Sequence, residues 1–589
     1  MNSYGYNDYN ICNIRKELLI LEYVFEEKAA KDIRHLVYSS AEKYGEKDLY
    51  IYTRNKQRYN YKYNDLKNNM NYLGTAFAKL GIMGGTVAVI GDSHPMYFTT
   101  YYATVNGNGI IIPLDKELAD EEIVNFLNLA KADAVVYTES FNNRLAKNAD
   151  KLPGIKYFIP IYIDTEKEIT DRTRGMDELL ALGKEALEGG DTTYTGVEID
   201  MEKCCAIIFT SGTTGTSKGV MLCQRNLVTA TNSSCTTMSF MTCHESLLSV
   251  LPPNHTYEMT CGHLAATNKG MTSYLNESLK YVTRNLTSFK PTVMALVPLF
   301  VETFHKRIWD NIRSKGLEKK VRFAMKLSNF CGFFGIDIRK KLFGEILSAF
   351  GGNLKYLVCG GAPIDKEIIK DFRAFGVRVL EGYGITECSP LVAVNIGGHE
   401  RFGSVGWPVD GCQVKIEPEE GQKCGKYDVG EILVKGDNVM LGYYNNPEAT
   451  AEVFTEDGWF RTGDYGYVDD ENYVFITGRK KNIIILSNGK NIYPEEIESY
   501  LAHIDIIKEC VVIGKENAAG EVVITAMVYP DPEKNEGLSN DEILAKIKEE
   551  INIVNRKLPV FKQVHEVVLR DTEFEKTTSR KIKRHTINK

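Results

Sequence analysis

Residues 210–219 read Thr210-Ser211-Gly212-Thr213-Thr214-Gly215-Thr216-Ser217-Lys218-Gly219, and they follow the apolar run Ala206-Ile207-Ile208-Phe209. The apolar run predicts a buried strand, and the residues after it predict a mobile loop rich in hydrogen-bond donors. Glycines allow backbone N–H groups to converge on one point, while the hydroxyls and Lys218 add donors and charge. Such a loop suits a polyphosphate, although Ser217 stands where the usual P-loop has glycine. Taken alone, the pattern is more typical of a polar surface loop.

Length and composition indicate a multi-domain globular protein. A chain of 589 residues is too long for one hydrophobic core, and 43% hydrophobic with 25% charged residues is ordinary for a soluble protein. The net charge of −7 gives no general attraction to nucleic acid or to an anionic membrane, so no nucleic-acid partner is expected. The 13 cysteines are scattered without metal-ligand spacing, which favours reduced thiols in the cytoplasm.

The sequence shows no targeting or membrane-spanning segment. No apolar run approaches the length of a membrane span, and Glu22, Glu26 and Glu27 interrupt the apolar residues near the N-terminus. Residues 1–10 are expected to be unstructured, and residues 14–25 fit a short amphipathic helix that packs on the core more often than on a membrane. We therefore expect a cytoplasmic protein, and peripheral membrane contact stays open.

Strand and helix patterns alternate along most of the chain. Apolar runs predict strands at residues 86–90, 109–113, 134–137, 292–297, 356–359 and 377–380, with helices at 66–80, 95–106, 121–130 and 364–375. Strands that are apolar throughout and separated by helices predict parallel sheets covered on both faces. The fold class is therefore α/β, with a large N-terminal domain of doubly wound sheets. Residues 306–348 fit a helical insertion at the surface.

The last third of the chain changes character twice. Short strands and frequent turns between residues 411 and 477 predict a small antiparallel β subdomain. After the basic residues 479–481, helices at 495–503 and 543–554 and strands at 510–513 and 522–529 predict a compact α+β module. The residues Ser539-Asn540-Asp541-Glu542 have the spacing of a capping box and are predicted to open the second of these helices. We predict an N-terminal extension over residues 1–30, a large domain over 31–480 and a small, mobile C-terminal domain over 481–589.

Several further blocks follow the loop in a fixed order. They are Leu251-Pro252-Pro253-Asn254-His255-Thr256-Tyr257-Glu258, Gly360-Gly361-Ala362-Pro363, Gly382-Tyr383-Gly384-Ile385-Thr386-Glu387, Trp459-Phe460-Arg461-Thr462-Gly463-Asp464, Gly478-Arg479-Lys480-Lys481-Asn482, Ser487-Asn488-Gly489-Lys490-Asn491 and Lys576-Thr577-Thr578-Ser579-Arg580-Lys581-Ile582-Lys583-Arg584. Together with the loop, in which Ser217 replaces proline, they resemble the adenylate-forming superfamily of acyl-CoA synthetases and luciferases. The nearest resemblance is to bacterial long-chain fatty acid–CoA ligases, and it covers the chain from about Ile33 onward.

The resemblance implies a two-step reaction with ATP, Mg²⁺ and CoA as cofactors. A carboxylate attacks the α-phosphorus of ATP to give an acyl-adenylate and pyrophosphate, and a thiol then displaces AMP. Both reactants of the first step are anions, so the site needs positive charge, oriented donors and in-line positioning.

The resemblance also implies a role for each motif in binding the nucleotide. Residues Thr210, Ser211, Gly212, Thr213, Thr214, Gly215 and Lys218 would cradle the phosphates, Gly360, Gly361 and Ala362 would hold the adenine, and Tyr383 and Gly384 would also bind the nucleotide. Thr386 would contact the α-phosphate, and Glu387 would hold Mg²⁺, which prefers oxygen ligands. Asp464 would accept the ribose hydroxyls, with Arg479 beside them. Taken singly, each of these residues is equally typical of a turn or a helix cap.

The remaining implied roles concern the reacting groups. His255 would lie near the carboxylate and the thiol path, and Lys581 would be the catalytic lysine, although a basic tail is usually solvated. Arg580 stands where the family usually has glycine, so this loop departs from the family pattern beside Lys581. In one orientation of the C-terminal domain, Lys581 would lie at the α-phosphate. A rotation about Lys481 would withdraw Lys581 and place the loop of Gly489 beside the pantetheine of CoA.

The acyl substrate is left open between long-chain, medium-chain and aryl acids, since apolar tunnel walls and apolar core look alike in sequence. Two rival functions also stay open: loading of a carrier-protein thiol, and binding of nucleotide without catalysis. The joint presence of Lys218, Glu387, Asp464 and Lys581 argues against an inactive protein. The small-molecule partners are thus expected to be fatty acid, ATP and CoA, and the oligomeric state is not indicated.

Overall fold

The computed structural model describes residues 29–163, 171–210, 217–418, 427–486, 490–517, 520–576 and 582–587. The predicted N-terminal extension therefore lies almost wholly outside the described residues. Where the chain is described, no helix is long and apolar enough to cross a membrane.

The first part of the chain alternates strands and helices as predicted. Its elements are α1 (Ile33–Tyr44), β1 (Asp48–Arg54), β2 (Gln57–Lys62), α2 (Tyr63–Lys79), β3 (Thr86–Ile90), α3 (Pro95–Asn106), β4 (Ile110–Leu114), α4 (Asp120–Leu129), β5 (Ala134–Tyr137), α5 (Asn142–Asn148), β6 (Tyr157–Pro160), α6 (Met176–Glu188), β7 (Cys204–Thr210) and β8 (Lys218–Cys223).

The middle of the chain continues this pattern around one irregular helix. Its elements are α7 (Gln224–Thr237), β9 (Ser246–Ser249), a π-helix (Tyr257–Leu264), α8 (Ala265–Lys269), β10 (Thr272–Leu275), α9 (Val282–Phe289), β11 (Val293–Leu296), α10 (Pro298–Ser314), α11 (Glu318–Phe333), α12 (Arg339–Leu342), α13 (Gly344–Ala349), β12 (Tyr356–Gly360), α14 (Lys366–Phe375), β13 (Arg378–Gly384), β14 (Leu391–Val394) and β15 (Trp407–Pro408). Helices α10 to α13 form the predicted insertion.

The last part holds the β subdomain and the C-terminal module. Its elements are β16 (Cys412–Glu417), β17 (Gly430–Gly436), β18 (Gly442–Tyr443), α15 (Pro447–Val453), β19 (Phe460–Val468), β20 (Val474–Arg479), β21 (Ile484–Ile485), β22 (Asn491–Ile492), α16 (Pro494–Leu501), β23 (Ile507–Glu516), β24 (Val522–Pro530), α17 (Asn540–Asn555) and β25 (Glu566–Leu569). Short 3₁₀ turns link them, among them Lys480–Asn482.

Within the described residues, two large sheets build the N-terminal domain. The order of the first is β18-β8-β7-β4-β3-β5-β6, and that of the second is β15-β14-β13-β12-β11-β9-β10-β1-β2. Their central strands run parallel, as predicted, whereas β8, β18, β14, β15 and β2 pair antiparallel at the edges. The sequence pattern missed these edges because hairpins and buried parallel strands share the same apolar runs.

Helices fill the space between and around the sheets. All residues of α3 are buried, and most residues of α7 are buried as well. A helix that is enclosed on every side must lie inside the protein rather than on its surface. One hydrophobic cluster accordingly joins side chains of both sheets, among them Val89 of the first and Tyr50 of the second.

The remaining strands form smaller units. Strands β16, β17, β19 and β20 make the predicted antiparallel sheet. Strands β23, β24 and β25 carry α16 and α17 around a separate apolar core. Helix α17 begins at the predicted capping box, in which Ser539 and Glu542 satisfy each other's backbone N–H groups. The fold is therefore the predicted large α/β domain with a β subdomain, followed by a smaller α+β domain.

Candidate active site

A cavity of about 2040 Å³ lies between the large domain and the C-terminal module. Its walls include Cys510–Gly514 of β23 as well as the edges of both large sheets. The predicted site residues that line it are Thr210, Lys218, His255, Gly360, Gly361, Ala362, Tyr383, Gly384, Thr386, Glu387 and Arg479. Single-ligand pockets measure roughly 300–1,000 Å³, so this cavity has room for more than one substrate.

The ends of the donor-rich loop face each other across a hairpin. Thr210 closes β7 and Lys218 opens β8, and the two residues are partners in the antiparallel register. The Lys218 ammonium lies 4.7 Å from the centre of the Tyr443 ring. Residues 211–215 lie outside the described residues, so their predicted phosphate contacts stay predictions.

Glu387 lies in a 3₁₀ turn directly after Thr386. The Tyr443 hydroxyl donates to Glu387 Oε1 at 2.9 Å, and burial, then the nearby Glu387, raises the pKa of Tyr443. Tyr443 thus contacts both Glu387 and Lys218, and sequence reasoning missed it. The available signal was an aromatic pair, Tyr443-Tyr444, placed after the turn at Gly442.

The described residues hold no group of three or more His, Cys, Asp or Glu side chains that could bind a metal ion. Mg²⁺ does not need such a group, since it binds one or two carboxylates together with substrate phosphates and water. Glu387 faces the cavity and supplies one such carboxylate. The residues present therefore fit Mg²⁺ held jointly with a polyphosphate.

The glycines predicted to bind the nucleotide lie in closely packed backbone. Gly360 ends β12, and a Cβ added there would lie 3.6 Å from the Tyr257 ring. Gly361 adopts a φ of 90°, which favours glycine. A Cβ on Gly384 would lie 2.3 Å from the Pro390 carbonyl oxygen, so no larger residue fits without movement.

Asp464 is buried and already has partners on both oxygens. The Tyr383 hydroxyl donates to Oδ2 at 2.6 Å, and Arg479 Nε lies 2.6 Å from Oδ1. Tyr383, Asp464 and Arg479 are therefore brought together as one unit on β13, β19 and β20. An ionised carboxylate accepts hydrogen bonds from several donors, and the predicted contacts of Asp464 with the ribose hydroxyls stay predictions.

His255 lines the cavity just before the π-helix, which is rare and frequent at functional sites. Within that helix, fully buried Glu258 accepts a 2.5 Å hydrogen bond from Ser249 and lies 3.6 Å from His263 Nε2. Burial raises the pKa of Glu258 to about 8 and lowers the pKa of His263 to about 3. The pair is therefore neutral at pH 7, and the sequence assigned Glu258 no role.

One arm of the cavity is apolar. It runs between α7, the π-helix with α8, and strands β9, β11 and β12, and its walls include Met238, Met241, Leu247, Met271, Val293 and Ala295. The helical wall carries the small residues Gly262, Ala265 and Ala266. These residues repeat at helical spacing, so one face of the helix leaves room for a chain-like ligand.

The C-terminal module reaches the cavity through basic residues. Burial, then the adjacent Arg479, lowers the pKa of Lys481 to about 8. Lys576 and Ile582 pair as an isolated bridge, and both line the cavity. Lys581 and Gly489 lie outside the described residues, and their predicted roles remain untested.

Two family models match the chain. The model described as "AMP-binding enzyme" matches residues 37–444, and "AMP-binding enzyme C-terminal domain" matches residues 481–589. Together they span most of the sequence, and residues 445–480, which include the cavity-lining parts of β19 and β20, lie between the two matched ranges.

Individual relatives are similar at lower identity. Long-chain-fatty-acid–CoA ligase FadD15 of Mycobacterium bovis is 29% identical over 78% of this chain and 75% of the relative. The chloroplastic long-chain-fatty-acid–[acyl-carrier-protein] ligase AEE15 of Arabidopsis thaliana is 26% identical over 86% and 77%. Probable 4-coumarate–CoA ligase 2 of Dictyostelium discoideum is 31% identical over 79% and 80%.

A solved structure shows the same fold. The anthranilate CoA ligase AuaEII, in complex with anthranoyl-AMP, superposes with a TM-score of 0.74. The superposition covers 95% of this chain and 97% of that one at 19% identity. At that identity the likeness supports the fold and nothing finer.

Proposed function

The chain belongs to the AMP-binding enzyme family of adenylate-forming ligases, and from this membership and the cavity we propose that it activates a long-chain fatty acid. In the proposed reaction a fatty acid carboxylate attacks the α-phosphorus of ATP, and pyrophosphate leaves. The thiol of CoA then attacks the acyl carbon, and AMP leaves. The products are acyl-CoA, AMP and pyrophosphate.

The apolar arm is the observation that carries the choice of a long alkyl chain. Along its helical wall, the run from Tyr257 to Lys269 would extend about 18 Å at the 1.5 Å per residue of an α-helix, and its π-helical part makes it shorter than this. An extended chain advances at most about 3.6 Å per three bonds, so a chain of somewhat fewer than about fifteen bonds fits along this wall. A single aromatic ring would leave most of the arm unfilled.

The nucleotide end of the cavity supplies the charge that the first step needs. Lys218 would neutralise phosphate oxygens, and the Tyr383, Asp464 and Arg479 unit would bind the ribose. When bound, Mg²⁺ would add positive charge to the phosphates, and Glu387 is the carboxylate placed to hold it. His255, which also lines the cavity, would orient the fatty acid carboxylate.

We propose that the C-terminal domain begins after Lys480. The second step would need this domain in a different orientation. The described neighbours of Lys581 line the cavity, which supports Lys581 as the residue that neutralises the α-phosphate in adenylation. Rotation about Lys481 would then withdraw Lys581 and bring the loop of Gly489 to the thiol path.

A second candidate acceptor is the thiol of a carrier protein. It is favoured by the similarity to AEE15, whose name describes a fatty acid–carrier-protein ligase. Both candidates share the adenylation step and differ only in the thiol.

The test is an assay of pyrophosphate release over a panel of saturated fatty acids and 4-coumarate, with CoA, with a carrier protein, or with neither. We expect the highest kcat/KM for a long-chain acid, with AMP and acyl-CoA as the other products. Formation of ADP and inorganic phosphate would contradict adenylation. A preference for 4-coumarate would overturn the choice of acid, and transfer to the carrier protein alone would overturn the choice of acceptor.

The half-reactions test the role of Lys581 separately. We expect Lys581→Ala to reduce adenylate formation by about 10²-fold or more, because a charge at the α-phosphate is lost. Thioester formation from supplied acyl-adenylate should be nearly unchanged. Equal loss of both half-reactions, with unchanged thermal unfolding, would mean that one fixed site serves both steps.

A further inference from the structure

The helical insertion exposes several large apolar side chains to solvent. Phe323, Phe330, Phe334 and Ile336 have exposed fractions of 68%, 65%, 61% and 57%. The rings of Phe330 and Phe334 contact each other at 5.2 Å between centroids, so they form a patch rather than isolated side chains. Exposed apolar groups scattered singly need no explanation, but a contiguous patch marks an interaction site.

The patch lies on one face of α11. Lys319, Lys320, Phe323, Lys326, Leu327 and Phe330 are all exposed and fall within about 120° of arc at 3.6 residues per turn. The opposite face packs inward: Val321, Ala324 and Met325 pack against the cluster around Trp309. The exposed side of α11, continued by Phe334 and Ile336, is termed the basic aromatic face below.

The charge of this segment is opposite to that of the whole protein. Residues 318–342 contain seven Lys or Arg and two acidic residues, a net charge of +5, whereas the chain carries −7. Arg322 and Arg339 pair with Glu318 and Asp337. No described carboxylate pairs with Lys319, Lys320, Lys326, Lys340 or Lys341, so these lysines are the charges presented to solvent.

We propose that the basic aromatic face docks the protein on the surface of an anionic lipid bilayer. A helix that presents apolar rings flanked by lysines lies in the membrane interface, with the rings among the acyl chains and the ammonium groups at the anionic headgroups. The long stems of the lysines let their charges reach the headgroups while the rings insert. The enzyme would thereby take a poorly soluble acid from the phase that contains it.

Other occupants fit the face less well. A second copy of the chain would place one cluster of lysines against another across a two-fold axis, and like charges oppose such contact. Nucleic acid would match the positive charge, but its phosphate backbone offers no apolar surface against which Leu327 and Ile336 could be buried. The face is convex helix surface rather than a groove, which suits a fluid partner.

Vesicle sedimentation with the full chain tests the proposal. We expect binding to vesicles of phosphatidylglycerol and phosphatidylcholine at least tenfold tighter than to phosphatidylcholine alone, and weaker binding as salt increases. The double variant Phe323→Ser with Phe330→Ser should lose at least tenfold in binding, as should Lys319→Gln with Lys326→Gln. The matched control is Val560→Ser with Ile553→Ser, which removes exposed apolar side chains from the C-terminal domain and should bind as wild type does.

The variants should unfold at the wild-type temperature, because the changed side chains are exposed. Unchanged vesicle binding by both double variants would overturn the proposal, as would absence of binding by the wild type. Sedimentation velocity without lipid supplies a further check: dimers that the phenylalanine variant abolishes would assign the face to a second copy instead. Binding to an acidic carrier protein but to no vesicle would assign the face to that protein. Turnover of a short, water-soluble acid should be the same in all variants, whichever function holds.

Discussion

Glu258 illustrates how the contacts of a single buried residue depend on its protonation state. Its Oε1 accepts from Ser249, its Oε2 has no hydrogen-bond partner among the described residues, and His263 next to it is kept neutral by burial. With its pKa raised to about 8, the carboxyl group holds its proton at neutral pH. The contact with His263 is therefore one between neutral groups, despite its resemblance to an ion pair.

We predict that Glu258→Gln removes a pH dependence of stability. The folded state keeps the proton of Glu258 up to a pH of about 8, whereas an unfolded glutamate loses it near pH 4.5. Stability should thus fall as the pH rises between these values, by about 1.4 kcal/mol per pH unit. Glutamine stays neutral, so the melting temperature of the variant should exceed that of wild type increasingly towards pH 8.

The control for this prediction is Glu42→Gln, which changes an exposed glutamate of α1 and should melt in parallel with wild type. Parallel melting curves for Glu258→Gln and wild type from about pH 5 to pH 8 would show that Glu258 is already ionised in the folded protein.

Tyr443 is the second residue whose role only the structure reveals. We predict that Tyr443→Phe lowers kcat/KM for adenylation about tenfold or more, because a hydrogen bond to a charged group is worth about 1.5–3 kcal/mol. It should also raise the Mg²⁺ concentration needed for half-maximal rate, since the bond orients Glu387. Tyr444→Phe is the matched control, because its hydroxyl makes no hydrogen bond among the described residues. An unchanged Mg²⁺ dependence in Tyr443→Phe would limit Tyr443 to a packing role.

Sequence alone could supply the motif residues but not the contacts between them. Glu387 and Lys218 were predicted because they stand in recognisable blocks, whereas Tyr443 reaches both from a different part of the chain. The same holds for the Tyr383–Asp464 contact, which joins residues of two different sheets. Spacing along the chain carries no information about such distant pairs unless the fold is known.

At the scale of elements, the predictions succeeded where one periodicity dominates. Strand β3 lies where predicted, because an uninterrupted apolar run bounded by polar residues indicates a strand. Helix α17 begins at the predicted capping box of Ser539 and Glu542, because a capping box marks the start of a helix. The π-helix could not be predicted, since its sequence is compatible with an ordinary helix and the wider turn depends on what packs behind it. The antiparallel edges were missed for a similar reason: the direction of a strand is set by its connection, not by its composition.

The end of β13 gives a testable case of backbone packing. We predict that Gly384→Ala destabilises the protein by about 1–3 kcal/mol, because its Cβ would meet the Pro390 carbonyl oxygen at 2.3 Å. Gly382→Ala on the same strand is the control, since its Cβ would meet its nearest atom at an ordinary 3.5 Å. Thermal unfolding of both variants measures the difference. Equal melting temperatures would mean that the turn at Pro390 shifts to accommodate the added Cβ without loss of stability.

At the scale of the whole molecule, ion pairs join the C-terminal module to the large domain. His503 after α16 pairs with Asp365 at the start of α14, and Lys306 of α10 lies 2.9 Å from Asp531. The sequence predicted the α+β module from its own periodicity. It could not predict these pairs, because they depend on how two separately folded units meet.

The His503–Asp365 pair makes this arrangement sensitive to pH. The hydrogen bond to Asp365 raises the pKa of His503 against the effect of burial. Burial raises the pKa of Asp365, but the bond from His503 and the N–H of Glu367 together bring it below its ordinary value. Glu302 and His305 of α10 also face the pair. The contact should therefore be complete between about pH 4 and pH 6.5 and weaken as the pH rises through the raised pKa of His503.

If this arrangement serves adenylation, as proposed above, the balance of the two half-reactions should follow the same titration. We predict that the ratio of adenylation to thioester formation falls up to about fivefold from pH 6 to pH 8 in wild type, since an exposed pair is worth up to about 1 kcal/mol. Asp365→Asn should flatten this profile while keeping the helix cap, because asparagine also accepts the N–H of residue 367. Glu367→Gln, two residues further along the same exposed helix start, should keep the wild-type profile. A wild-type profile in Asp365→Asn would show that the pair does not bias the domain, and that other contacts, such as Lys306–Asp531, set its orientation.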